Sequence, residues 1–130
     1  MLGEEDHREI FEAIFAVTWV GGAHTFMHTW DTRAALQQMA VKHVTATHVA
    51  ATMLQMLITN PERPRADLAS LRLISCGGSA LPSVLVEEAF SAFGPRFFTS
   101  YGMTECSGKI SVSRLSQENK GQELGSFTLQ

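Results

Sequence analysis

Leu71-Arg72-Leu73-Ile74-Ser75-Cys76-Gly77-Gly78-Ser79-Ala80-Leu81-Pro82 is the stretch on which the fold turns. Leu71 to Ser75 reads as a strand, delivered into the small residues Cys76-Gly77-Gly78. A helix is expected from Pro82, where the missing proline N–H costs nothing. Leu85, Val86, Ala89, Phe90 and Phe93 form its apolar face, with Glu87 and Glu88 toward water. Gly94-Pro95 ends it, and Arg96 to Ser100 reads as the next strand. Strand, glycine turn, helix and strand again make a unit whose two strands lie parallel.

The same alternation runs upstream. Arg8 to Val20 reads as a helix stopped by Gly21-Gly22, since glycine takes a left-handed cap without a Cβ clash. Ala23 to Met27 is a short strand candidate. Asp31 offers an N-cap to a helix with Ala35, Leu36, Met39 and Ala40 on one face. Val44 to Thr47 is a β-branched strand candidate. Met53, Met56 and Leu57 mark the buried side of a helix ending at Asn60-Pro61, and Pro61 to Pro64 reads as loop. Downstream, Tyr101 to Gly108 reads as loop and Lys109 to Ser113 as one more strand, with 113–130 a weakly structured tail. The fold class is therefore α/β, a largely parallel sheet with flanking helices.

Ligands of such sheets sit beyond the carboxyl ends of the strands. The rule selects the loops Cys76 to Leu81 and Tyr101 to Gly108, and it places Gly77-Gly78 and Tyr101-Gly102 at the ends of adjacent parallel strands. The first loop carries few side chains, so a flat ligand can lie against its peptide planes. A tight turn that needs glycine is the plain alternative. In the second, Tyr101 offers an aromatic face, Thr104 a hydroxyl for a phosphoryl oxygen, and Glu105 the hard oxygen that Mg²⁺ prefers.

Composition narrows the classes. The chain has 130 residues, 45% hydrophobic and 18% charged, as expected of one ordinary globular domain. A domain of this size buries roughly two-thirds of its unfolded surface. A net charge of −3 without any basic run argues against a nucleic-acid binder. Cys76 and Cys106 form no C-x-x-C pair, which suggests reduced thiols and an intracellular protein. Gly3-Glu4-Glu5-Asp6 puts acid where a signal peptide needs base, and Ala13 to Val20 is too short to span a bilayer, so a cytoplasmic protein without a transmembrane segment is expected. His24 and His28 lack the one-face spacing of a helical metal site, and they read, with His43 and His48, as surface or core residues. The 6 methionines read as core filler.

Gly77-Gly78-Ser79-Ala80-Leu81-Pro82, then a helix and a strand entering Tyr101-Gly102-Met103-Thr104-Glu105, resembles the AMP-binding family. That family comprises acyl-CoA synthetases, luciferase-like enzymes and peptide-synthetase adenylation domains. Gly21-Gly22-Ala23-His24-Thr25, Trp30-Asp31 and Val44-Thr45 leading to Thr52-Met53-Leu54 fit the upstream order, so the resemblance covers nearly the whole chain. It implies that residues 1–130 are a central part of that family's large N-terminal domain.

The resemblance also implies roles. Gly78, Ser79 and Ala80 would flank the adenine, Tyr101 would stack on it, and Gly102 would allow close approach. Met103 would line the site beside nucleotide or acyl group, with Trp19 and Val20 as further acyl-pocket candidates. Thr104 would bond the α-phosphate and Glu105 would hold Mg²⁺, the pair that acts in catalysis. The implied substrates are ATP and a small-molecule carboxylic acid, giving AMP-linked acyl groups, with coenzyme A as the acceptor in prospect. The family's lysine-bearing phosphate loop, ribose-binding aspartate and small C-terminal domain have no counterpart here, and Lys109 and Lys120 lie in no matching context. Asp6-His7 stands near the position of the family's histidine motif, with Glu4-Glu5 in place of its apolar lead-in. Ala50-Ala51-Thr52 stands where the family often has proline. The isolated chain is accordingly expected to be inactive in acid activation and weak in ATP binding, with exposed apolar surface and a tendency to self-associate. The alternatives are a non-catalytic nucleotide-binding or interaction module and a serine hydrolase using Ser79, although Leu81 occupies the second glycine position of a nucleophile elbow.

Overall fold

The computed structural model describes residues 14–77, 81–103 and 108–114. Residues 14–19 form helix α1. It is followed by α2 (Thr32–Val41), β1 (Ala46–Val49), α3 (Ala51–Thr59), β2 (Leu73–Cys76), α4 (Ser83–Phe93), β3 (Phe97–Met103) and β4 (Gly108–Arg114). The four strands make one sheet in the order β1-β2-β3-β4. β1 pairs parallel with β2, and β2 parallel with β3, while β4 returns antiparallel to β3. The sheet is thus mostly parallel, as the sequence pattern requires.

Helix ends follow local chemistry. The Asp31 carboxylate accepts a hydrogen bond from the Ala34 N–H at 2.6 Å and caps α2. Gly21, at φ 73°, closes α1 with bonds from its own N–H to Thr18 O and from Gly22 N–H to Val17 O. That pair of bonds is the Schellman arrangement. α2 closes in the same way, from His43 N–H to Ala40 O and from Val44 N–H to Met39 O, but His43 holds the left-handed position at φ 50°. Gly94, at φ 68°, ends α4.

The step from β1 to β2 to β3 always moves in one direction. Two crossovers of the usual right hand therefore deliver α3 and α4 to the same face. Burial agrees. Val49, Ile74, Cys76 and Phe97 share that face by register, and they form one core with Ala35, Leu36, Met39, Leu54, Leu57, Leu85, Ala89 and Phe93. Gln55 of α3 bonds Glu88 of α4 at 3.2 Å across the layer. Arg63 donates to Ala92 O at 3.2 Å while its guanidinium lies over the Phe93 ring, which fastens the turn after α3 to the end of α4. The other face of the sheet carries His48, Ser75, Phe98, Ser100 and Val112.

Several sequence expectations need correction. Ala23–Met27 forms no strand: among the described residues none of the sheet's strands pairs with it, Phe26 is exposed, and the His24 ring instead bonds Thr18 and stacks on Phe26. β1 lies two positions later than expected, because Val44 is used in closing α2. The buried side of α3 is Leu54 and Leu57, while Met56 is exposed, since α4 and the sheet fix the helix phase. Arg63–Arg65 makes one 3-10 turn within the expected loop. Tyr101–Met103 belongs to β3, not to a loop, and the strand is prolonged there by pairing with β4. β4 reaches Arg114, into the segment read as tail, and positions 115–130 lie outside the described residues. Among the described residues no helix is long and apolar enough to cross a membrane.

Candidate functional site

The two strands that deliver the candidate residues end side by side. β2 stops at Cys76, whose partner in β3 is Thr99, and Gly77 follows at once. β3 runs on through Ser100, Tyr101 and Gly102 to Met103. Both chains head the same way, so Gly77 and Tyr101 stand at one carboxyl end of a parallel pair, where α/β sheets take their ligands. Cys76 is fully buried as the last residue of β2.

Tyr101 is 47% exposed. It pairs with Ser111 of β4, and the register slips between Tyr101 and Gly102. Such a bulge sharpens local twist and re-aims side chains, and bulges are over-represented beside active sites. Alternation puts Tyr101 on the helix-covered face with Phe97 and Thr99.

Hydroxyl groups that the sequence reading passed over surround this point. The side-chain oxygens of Thr99, Ser100 and Ser111 are buried and, among the described residues, have no hydrogen-bond partner. Each such group costs on the order of 1–3 kcal/mol until something satisfies it, and native proteins keep few of them. Thr99 and Ser111 belong to the face of Tyr101, Ser100 to the opposite face. The two orphan hydroxyls on the face of Tyr101, those of Thr99 and Ser111, give its aromatic ring a polar border. That combination suits a flat heteroaromatic group with hydrogen-bonding edges. On the opposite face, His48 Nδ1 and Ser75 Oγ are 3.0 Å apart, on neighbouring strands and in register.

Gly78, Ser79, Ala80, Thr104 and Glu105 lie outside the described residues, and for Met103 the backbone alone is described. Of the sequence candidates, then, Tyr101, Gly102 and the backbone of Met103 share one strand end with Gly77 beside it. Trp19 and Val20 are exposed at the end of α1. The signal that could have exposed the hydroxyls is Thr99-Ser100 inside an otherwise apolar strand entry. Period-two alternation sends one to each face.

Gly77 and Tyr101 thus stand together at the ligand edge of an α/β sheet. The chain belongs to the AMP-binding enzyme family, whose model matches residues 9–128. It is similar, at 33% identity over 94 residues, to the medium/long-chain-fatty-acid–CoA ligase of Mycobacterium tuberculosis, an alignment covering 72% of this chain and 16% of that one. A feruloyl-CoA synthase from an Amycolatopsis species is 31% identical over 110 residues, covering 84% of this chain and 22% of the relative. Among solved structures, ATP-bound MatB from Rhodopseudomonas palustris shares the fold at a TM-score of 0.71 and 21% identity, over 81% of this chain and 20% of that one. The chain thus spans between 16% and 22% of the length of these curated relatives.

Proposed function

We propose that this chain supplies the nucleotide side, and part of the acid side, of an ATP-dependent acid–thiol ligase. The observation that carries the reading is the parallel, side-by-side ending of β2 and β3, with Gly77 and Tyr101 at one edge. The buried, unpartnered hydroxyls of Thr99 and Ser111 on the face of Tyr101 support it, because a nucleobase edge would satisfy them.

In this reading Gly78, Ser79 and Ala80 present backbone to the adenine, Tyr101 covers one face of the ring, and Gly102 leaves room for close approach. Met103 lines the border between nucleotide and acyl group. Thr104 donates its hydroxyl to an oxygen of the α-phosphate. Glu105 holds Mg²⁺, which when bound draws charge from the phosphoryl oxygens. The acid's carboxylate oxygen attacks the α-phosphorus, the bond to the bridging oxygen breaks, and pyrophosphate leaves. A thiol, coenzyme A in the first instance, then attacks the acyl carbon and AMP departs. The protein's contribution is positioning, together with donors aimed where charge gathers.

Saturation-transfer NMR of the chain with AMP tests the reading. AMP should bind with its strongest contacts at the adenine protons, and excess ATP should compete. An absence of transfer at millimolar AMP sinks the nucleotide reading.

A further inference from the structure

The face of the sheet turned away from α3 and α4 sets His48, Ser75 and Ser100 among the apolar Phe98 and Val112. Ser75 and Ser100 are 6% and 8% exposed, and both side chains project to this face by register. Ser75 is satisfied by His48, whereas the buried Ser100 hydroxyl has, among the described residues, no partner. Ser75 lies opposite Phe98, two residues before Ser100 and one strand across. Strand spacing and rise place the two serine Cα atoms roughly 8 Å apart, with the His48 imidazole on the far side of Ser75. A row of hydroxyl, hydroxyl and imidazole therefore runs inward from the ligand edge.

An apolar acyl chain laid along this row would leave the Ser100 hydroxyl unsatisfied and strip solvent from His48. Both are penalties that a plain alkyl tail cannot offset. A tail carrying its own hydroxyl or carbonyl meets the orphan and removes its cost. Sites built around a hydrogen-bonding group reject analogues that lack it far better than apolar pockets reject an extra one.

Resting on the ligase reading above, we propose that the acid taken at this site bears a hydrogen-bonding substituent on its tail, engaged by Ser100 and the His48–Ser75 pair. Plain alkyl and unsubstituted aryl acids are the disfavoured class.

The test uses non-hydrolysable acyl-adenylate mimics in matched pairs on the full 130-residue chain. One pair is cinnamoyl and 4-hydroxycinnamoyl sulfamoyl adenosine, the other hexanoyl and 6-hydroxyhexanoyl sulfamoyl adenosine, with Kd read by calorimetry. The hydroxylated member of at least one pair should bind about 10-fold tighter, the ratio one satisfied buried hydroxyl commands. Ser100→Ala should bring that ratio to within about twofold. Its Tm should hold or rise, because the variant removes a buried group with no partner. Ser75→Ala, which removes the Ser75 hydroxyl bonded to His48, should reduce the ratio as well. Equal affinities within both pairs, or a preference that survives Ser100→Ala, overturn the proposal and leave the ligase reading standing. Failure of all four mimics to bind overturns the ligase reading and this proposal with it.

Discussion

Replacing Tyr101 with alanine separates stacking from structure. A tyrosine side chain offers about 150–250 Å² in all, and Tyr101 is 47% exposed, so about 100 Å² of it is open to a ligand. If a nucleobase covers between half and all of that area, about 25 cal/mol per Å² gives about 1.3–2.5 kcal/mol. That corresponds to roughly 10- to 60-fold in Kd. The buried half of the ring packs against the protein, so Tyr101→Ala should also lower stability by up to about 2.5 kcal/mol. Binding must therefore be measured well below the shifted melting point. Tyr101→Phe keeps the aromatic face and should stay within about threefold of the parent Kd for AMP, close to the worth of one hydrogen bond. Equilibrium dialysis with labelled AMP at a fixed, low temperature, beside circular dichroism, reads both effects. A folded Tyr101→Ala protein that binds AMP within about twofold of the parent would refute the stacking role and the area argument together.

Other substitutions probe fold and site separately. His43→Gly should stabilise by about 1 kcal/mol in urea denaturation, because His43 holds φ 50° at the close of α2 where glycine has no Cβ to strain. Loss of stability there would mean that the side chain contributes more than the backbone costs. Leu54→Ala should destabilise by about 3–5 kcal/mol, since Leu54 is fully buried between α3 and the sheet, while Met56→Ala on the exposed side of the same helix should change stability by less than about 1 kcal/mol. Glu105→Gln should abolish the gain in ATP affinity that Mg²⁺ brings, expected at about 10-fold or more, and leave AMP affinity alone. A Mg²⁺ response that persists in this variant removes Glu105 from the metal site.

What could be read from sequence was what local chemistry decides. Gly21, Asp31, Pro82 and Gly94 mark helix ends through backbone freedom, a carboxylate cap or a missing N–H, and each lies at the end it announces. The end of β2 at Cys76, beside the run of β3 toward Tyr101, was legible for the same reason. Phase and length were harder, because distant segments set them. Met53, Met56 and Leu57 have helical spacing, but only the position of α4 decides that Leu54 and Leu57 face inward. Tyr101–Met103 looks like loop because Gly102 interrupts it, and it is strand because β4 comes back to pair with it. Ala23–Met27 follows a glycine stop, but among the described residues no strand lies beside it to pair with. His43 gives no local hint of its left-handed backbone. The hydroxyls of Thr99, Ser100 and Ser111 become informative only once burial without a partner is visible.

β3 outlasts β2, and this has a bearing on how the site can drift through evolution. Past Thr99, among the described residues, β3 is laddered to β4 on one side and to no strand on the other. A strand held on one side keeps half of its peptide N–H and C=O groups turned outward, a rank of donors and acceptors that belongs to the main chain. A ligand lodged there can be gripped without reference to side-chain identity. Substitutions at Gly102 or Met103 can then alter the fit of a ligand while the peptide groups that hold it pass unchanged from one descendant to the next. Proline is the exception, because it deletes the donor itself. Such an edge allows a lineage to exchange one ligand for another without first losing the capacity to bind.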